Sequence, residues 1–240
     1  MEIRIMNSFT VKEVQQALHA KGFSPGEIDG IWGRKTTAAV KRFQENQGLE
    51  ADGIIGPKTG AKLFGATLPD AKAPVLPWLE EARNLVGTKE VLGEKRHNPV
   101  ILDWAKNLDI SYKGDEVPWC GLFVAHCVGA TLPSEVLPGN PLGARQWRKF
   151  GDPVEPRLGS VLVFWRESPN GSLGHVGFYT GEDATAYRIL GGNQENKVCI
   201  MWIAKDRLLA SRWPAAAASL AGTATAVAMQ RDAELATNLA

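Results

Sequence analysis

Apolar residues in the first quarter of the chain recur at helical spacing, whereas those in its second half turn to strand spacing. Val11, Val14 and Leu18, with Ala17 beside them, form a stripe with the period of an amphipathic helix. Thr10-Val11-Lys12-Glu13 ahead of it has the spacing of a capping box. Ala39, Val40 and Phe43 continue the pattern in a second helix until Gly48, and a short third helix after Pro57 contributes Leu63 and Phe64. Leu79, Ala82, Leu85 and Val86 mark another helix closed by Gly87. Asn98-Pro99 reads as a cap and first turn for a helix carrying Ile101, Trp104 and Leu108. Residues 120–128 are again helical in pattern. Then the texture changes. Segments 159–165, 175–180, 186–190 and 197–203 are rich in β-branched and aromatic residues and are separated by Gly and Asn clusters, which predicts four strands.

These elements imply an organisation. Asp29-Gly30-Ile31-Trp32-Gly33-Arg34-Lys35-Thr36 recurs as Asp52-Gly53-Ile54-Ile55-Gly56-Pro57-Lys58-Thr59, and each copy reads as a glycine-rich turn opening a helix. Three short helices with two matching turns predict a small all-α module over residues 1–68. Residues 69–77 carry three prolines and no periodicity, so they read as a linker. Helices followed by a run of strands over residues 78–214 predict an α+β domain with an antiparallel sheet. Residues 215–240 form an Ala-rich tail, either a loosely held helix or disordered.

Composition narrows the function classes. With a net charge of +1, nothing global draws the chain to nucleic acid or an anionic membrane, so recognition must be local. No glycine-rich phosphate loop or basic-aromatic patch appears either. Met1-Glu2-Ile3-Arg4-Ile5-Met6 lacks the apolar core of a signal peptide, and no stretch approaches the roughly 20 apolar residues that span a bilayer. The expectation is a protein made in the cytoplasm, without stable membrane insertion, that reaches any outside substrate by another route. Cys120, Cys127 and Cys199 are odd in number. On one helix, the first two would sit about 10 Å apart, beyond disulfide reach, so reduced thiols are expected. No Cys or His spacing matches a zinc site, and Asp115-Glu116 and Glu182-Asp183 read as solvated charge. No metal or cofactor is called for.

Candidate chemistry concentrates at two places. Pro118 biases the chain toward a helix start, so Cys120 falls at the first turn, where free N–H groups stabilise a thiolate and lower its pKa. A buried structural thiol is the competing reading. In Gly174-His175-Val176-Gly177-Phe178, the histidine opens a strand after a glycine-rich turn, a fixed position open on one side that suits a general base. His126 lies six residues along the helix from Cys120 and faces elsewhere. A third group should orient the imidazole. The turn predicted over Gly191-Gly192-Asn193-Gln194-Glu195-Asn196 ends the neighbouring strand, so Asn193 or Gln194 reaches the ring.

Residues 11–64, with the doubled Asp-Gly-Ile-x-Gly-x-Lys-Thr, resemble the three-helix peptidoglycan-binding module of many wall hydrolases. Trp119-Cys120-Gly121-Leu122-Phe123-Val124, Gly159-Ser160-Val161-Leu162-Val163-Phe164 and Gly174-His175-Val176-Gly177-Phe178 resemble the papain-like wall hydrolases of the CHAP and NlpC type. That resemblance implies a triad of Cys120, His175 and Asn193, with Gln194 as the alternative third member. Two departures stand out: Ser160 replaces a frequent acidic residue, and Gly191 replaces a frequent Glu two positions before the Asn. Trp119, Arg145 and Gln194 are the substrate-binding candidates; Trp147, near Arg145, is expected in the core. Asp29, Trp32 and Asp52 are the wall-binding candidates in the module.

The implied activity is hydrolysis of a peptidoglycan amide through a thioester, in the setting of phage lysis. The same residues would serve an injected antibacterial toxin. The non-enzymatic alternative is a wall-binding or virion protein with a silent site. Peptidoglycan is the expected partner, and oligomeric state is not readable from the sequence.

Overall fold

Two buried glutamines explain why the Asp-Gly-Ile sequence recurs. The computed structural model describes residues 9–65, 75–91, 97–222 and 224–236, so the start of the chain and most of the expected linker lie outside the described residues. The module comprises α1 (Val11–Ala20), α2 (Arg34–Asn46) and α3 (Pro57–Phe64). Thr10 and Glu13 form the expected capping box on α1: the Thr10 hydroxyl accepts the Glu13 N–H at 3.2 Å, and the Glu13 carboxylate accepts the Thr10 N–H at 2.8 Å. From α1, the Gln15 amide donates to Asp29 and to the Ile31 carbonyl, both at 3.0 Å, and its oxygen accepts the Gly30 N–H at 2.8 Å. From α2, Gln44 donates to Asp52 at 2.6 Å and to the Ile54 carbonyl at 2.9 Å, and accepts the Gly53 N–H at 2.8 Å. The two turns are one device used twice. Each glutamine satisfies several turn groups at once, so its loss strands them all. Gln44→Ala should therefore cost about 1–3 kcal/mol in urea unfolding; an unchanged midpoint would contradict the network.

The second unit holds α4 (Pro77–Asn84), α5 (Pro99–Asn107) and α6 (Cys120–Thr131), a 3-10 turn at Ala144–Lys149, and a six-stranded sheet. Its strands are β1 (Asp152–Pro153), β2 (Val161–Trp165), β3 (Gly174–Glu182), β4 (Ala186–Gln194), β5 (Lys197–Ala204) and β6 (Leu208–Trp213), in the order β1-β6-β2-β3-β4-β5. Every pairing is antiparallel. α6 packs on one face, where Phe123, Val163, Phe178 and Trp213 join the main core. Leu162, Phe164, Tyr179, Tyr187 and Ile189 form a second core on the other face. The four expected strands are present. β6 escaped the sequence pattern because Leu-Leu-Ala-Ser-Arg-Trp contains no β-branched residue; pairing with β2, Val161 opposite Arg212, makes it a strand.

Three boundaries move. Val75 bridges Ile55 and sits in the module's core, while Leu76 and Pro77 are already buried, so the end of the expected linker is packed structure. The module is also docked: Ile54 belongs to the main core, and Thr37 donates to the Thr131 carbonyl at the end of α6 at 3.5 Å. The tail is ordered where described. Ala215–Leu220 forms a 3-10 turn with Ala217 and Leu220 buried, and the Trp213 indole donates to the Ala217 carbonyl at 2.7 Å. Beyond it, a strap crosses the second core: Glu182 N–H donates to the Val227 carbonyl and Met229 N–H to the Glu182 carbonyl, both at 2.8 Å. Arg231 pairs with Asp183 at 2.6 Å, and the Trp202 indole donates to Asp232 at 2.7 Å. The strap forms no helix or strand of its own among the described residues, and its hydrogen bonds to β3 and β5 hold it in place.

Candidate active site

One end of the sheet splays open. β3 and β4 pair from Phe178 opposite Leu190 onward, which leaves the start of β3 and the end of β4 separated. The head of α6 stands at this gap, with Cys120 its first residue. The backbone N–H groups of Val176 and Gly121 lie against the Cys120 sulfur. The nucleophile candidate therefore touches the peptide that follows His175. Gly121 has no room for a side chain: a Cβ there would lie 2.1 Å from the Pro141 carbonyl oxygen, so residues 141–142 pass directly over the helix start.

His175 Nε2 faces the Gln194 Oε1 at 3.0 Å, with both side chains fully buried. The Gln194 amide nitrogen donates to the Cys199 carbonyl at 2.5 Å, which fixes the amide with its oxygen toward the ring. Nε2 must then carry the proton, and Nδ1 is left as an unprotonated acceptor. Nδ1 is buried and, among the described residues, has no hydrogen-bond partner.

A bulge decides which neighbour does this. Between Gly191 opposite Cys199 and Gln194 opposite Lys197, two β4 residues face one on β5, and Asn193 adopts φ 54°. The turn is only Glu195-Asn196, both at positive φ, rather than the whole of 191–196. The bulge sends Asn193 to the α6 side, where its oxygen accepts the Trp119 N–H at 3.2 Å and its amide donates to Glu90 at 2.9 Å. Glu90 also accepts the Trp119 indole N–H at 2.7 Å. Asn193 thus holds the residue before Cys120, and Gln194 takes the imidazole. The glycine at 191 belongs to the same geometry. A Cβ there would stand 2.7 Å from Gln194 Oε1 and 3.1 Å from His175 Nε2, so any side chain at 191 would have to displace the Gln194 amide from the imidazole.

Burial dominates the electrostatics. It pushes the Cys120 thiol up, against the opposing pull of the Val176 and Gly121 N–H groups and of Arg166. It also pushes the His175 imidazole down to about 4, outweighing the Gln194 contact that raises it. The helix start does favour thiolate, as the sequence suggests, but desolvation is larger, and both groups rest neutral. The expected open side of His175 is likewise absent: the residue is 0% exposed and Cys120 is 3% exposed.

Stability follows from the same shift. Between its ordinary value of 6.5 and about 4, the unfolded chain binds a proton at His175 that the folded chain does not. The contribution is complete above about 6.5 and is lost as pH falls through about 4, amounting to about 3 kcal/mol. His175→Gln should flatten that part of the stability profile in urea titrations from pH 7 to 4. Equal acid slopes in both proteins would contradict the burial of a neutral imidazole.

The remaining candidates settle elsewhere. Trp119 is fully buried with its indole on Glu90, so it belongs to the core. Arg145 donates to the carbonyls of Leu173, Pro169 and Ser168 at 2.8, 2.9 and 2.8 Å, which makes it a clamp on the loop leading to His175. Trp147 is in the core, with its indole donating to the Pro141 carbonyl at 3.0 Å. Asp29 and Asp52 each accept from a glutamine and from the N–H two residues on, so they shape turns. The Gln15 amide and the Ile31 N–H hold the Asp29 carboxyl below its usual range. Trp32 is 1% exposed, with its indole donating to Thr37 at 2.9 Å, which removes it from any sugar-binding surface.

Asp115 is also buried rather than solvated. Burial alone would raise its carboxyl, but the Asn98 N–H, His97 and the Val91 N–H outweigh that and hold it below its usual value. Sequence reasoning missed Gln15, Gln44 and Glu90. The two glutamines had a readable signal, a polar residue interrupting an apolar helical stripe ahead of each Asp-Gly-Ile. Glu90 had none. All three cysteines are free, and no group of three or more potential metal ligands occurs among the described residues. Among the described residues, no helix is long and apolar enough to cross a membrane.

With two equivalent turns around two equivalent glutamines, the module has a form that can be compared with known proteins. Residues 9–63 match a family described as a putative peptidoglycan binding domain. Over the same part, the chain is 49% identical across 66 residues to a probable N-acetylmuramoyl-L-alanine amidase of Bacillus licheniformis, covering 25% of this chain and 19% of that protein. It is 43% identical across 60 residues to a spore cortex-lytic enzyme of Bacillus cereus, covering 25% of this chain and 23% of that one. A spore cortex-lytic enzyme of Bacillus subtilis is 46% identical across 55 residues, 18% of its length. The chain thus spans about a fifth of the length of these relatives. No solved structure matches it.

Proposed function

We propose that this chain is a peptidoglycan hydrolase in which Cys120 attacks an amide carbonyl and His175 acts first as base and then as acid. The observation that carries this reading is the buried, unpartnered Nδ1 of His175, in a ring whose other nitrogen is tied to Gln194. A buried polar atom without a partner costs about 1–3 kcal/mol and calls for a reason. A proton acceptor held one residue before the N–H that lies against the Cys120 sulfur supplies one, because catalytic hydrogen bonds are often loose until substrate binds. The head of α6, the start of β3 and the bulge of β4 are the parts a papain-like site requires, and we assign the α+β unit to that class.

In this mechanism, the Cys120 proton passes to Nδ1 as sulfur attacks, so charge appears only when a carbonyl is present to receive the electron pair. Free N–H groups at the head of α6 stabilise the oxyanion. The imidazolium, held by Gln194, protonates the leaving amine, and water then hydrolyses the thioester with His175 again as base. The module adds effective concentration on a polymeric substrate. The family match of residues 9–63 and the printed names of the relatives support peptidoglycan as that substrate.

Digestion of purified sacculi, followed by mass spectrometry of the soluble fragments, tests the reading. Fragments with new amino groups at one class of amide are expected. New reducing sugar ends, or no fragments at all, would overturn it.

A further inference from the structure

The end of the sheet that holds His175 also holds two arginines that the mechanism leaves unused. Arg166 directly follows β2, and its N–H donates to the Leu173 carbonyl at 3.2 Å. Phe164 pairs with His175, and Arg166 lies two residues further on, just past the end of β2. Among the described residues, the Arg166 guanidinium makes no hydrogen bond, ion pair or ring contact. Leu208 pairs with Phe164 from the other side, so Arg207, the residue before it, arrives at the same corner. The Arg207 guanidinium lies 5.0 Å from the Trp165 ring centre, and its Nε is buried without a partner. Among the described residues its side chain makes one hydrogen bond, to the Ala236 carbonyl at 3.4 Å. Asp206 is the acid acting on Arg207, and Arg166 opposes it. Arg166 also acts on Cys120 and on His175, so its charge is felt at both reacting groups.

Two cations held together with unused donors constitute an unfavourable arrangement unless an anion completes it. We propose that Arg166, supported by Arg207, binds a free carboxylate of the substrate peptide close to the scissile amide. The proposal rests on the peptidoglycan reading and sharpens it to acidic stem peptides. A carboxylate fits two guanidinium donors, whereas the carboxamide that replaces it in amidated stems brings donors of its own against them. Selection between these two stem chemistries would then occur beside the nucleophile rather than in the module.

The test uses N-acetylmuramoyl-L-alanyl-γ-D-glutamyl-L-lysinamide and its D-isoglutamine counterpart, in which the one free carboxylate, on the glutamyl α-carbon, is a carboxamide. The full chain should cleave the acid form with a kcat/KM about tenfold higher, the equivalent of one charge-assisted hydrogen-bonded pair. Arg166→Gln should bring the ratio close to one, and Arg166→Lys should restore part of it. Cys120→Ala provides a second arm by calorimetry, with the acid form binding about tenfold more tightly and Arg166→Gln removing the difference. Discrimination in binding without cleavage by the wild type would retire the hydrolase reading and uphold the carboxylate site. Equal cleavage or equal binding of the two forms overturns the site, as does failure to bind either, or a ratio that survives Arg166→Gln.

Discussion

Replacing Cys120 with alanine should lower sacculus hydrolysis by at least about 10⁴-fold while leaving the fold and wall binding in place. The size follows from the role. Without the sulfur the proposed mechanism has no acyl intermediate, and the remaining N–H groups at the head of α6 would only bind the carbonyl. The variant is structurally mild, since it removes one atom from a residue at a helix start and disturbs none of the hydrogen bonds that position Trp119 or His175. Cys127 and Cys199 provide the comparison. Cys127 lies deep in α6, where burial pushes its thiol well up, and Cys199 is half-buried on β5 with its thiol also raised by burial. Cys127→Ala and Cys199→Ala should retain hydrolysis within a few-fold, measured by dye release from labelled sacculi. Activity surviving Cys120→Ala would remove the nucleophile from the account.

The second large effect separates two neighbours. Gln194→Ala should lower kcat by about 10²-fold, at the lower end of what general acid–base catalysis contributes, because the imidazole loses both its orientation and its fixed tautomer. Asn193→Ala should act mainly on stability, costing about 1–2 kcal/mol through the Trp119 N–H and Glu90 contacts, with kcat reduced less than tenfold. Steady-state kinetics and urea unfolding on the same two variants distinguish these roles. A larger kcat loss in Asn193→Ala would return the third position to the asparagine that family resemblance favours.

That contrast shows where the sequence was legible. The helices, four strands and the capping box are encoded locally, in periodicity and caps, as are the helix-start position of Cys120 and the strand-start position of His175. The choice between Asn193 and Gln194 is not local, because a bulge against β5 redirects both side chains, and the pairing partner that creates it lies in another strand. Asp29, Asp52 and Trp32 were legible as a repeat but not as turn and core residues. Their partners, Gln15, Gln44 and Thr37, sit on helices whose relation to the turns is tertiary. The reach of Arg145 to three loop carbonyls and the docking of the strap along the sheet are likewise long-range. The docked module also changes how its role should be probed. Ile54 completes the main core, so deleting the module would damage the α+β unit as well as wall binding.

The central claim is a thioester on Cys120, and hydroxylamine partitioning during turnover tests it most directly. When sacculi are digested in the presence of hydroxylamine, an acyl-enzyme is intercepted, and part of the released acyl product carries a hydroxamate detectable by mass spectrometry. The account predicts hydroxamate in proportion to hydroxylamine, with no product of either kind from Cys120→Ala. Vigorous hydrolysis that yields only the free acid at every hydroxylamine concentration would contradict it, because direct attack of water on the amide leaves no acyl group to intercept.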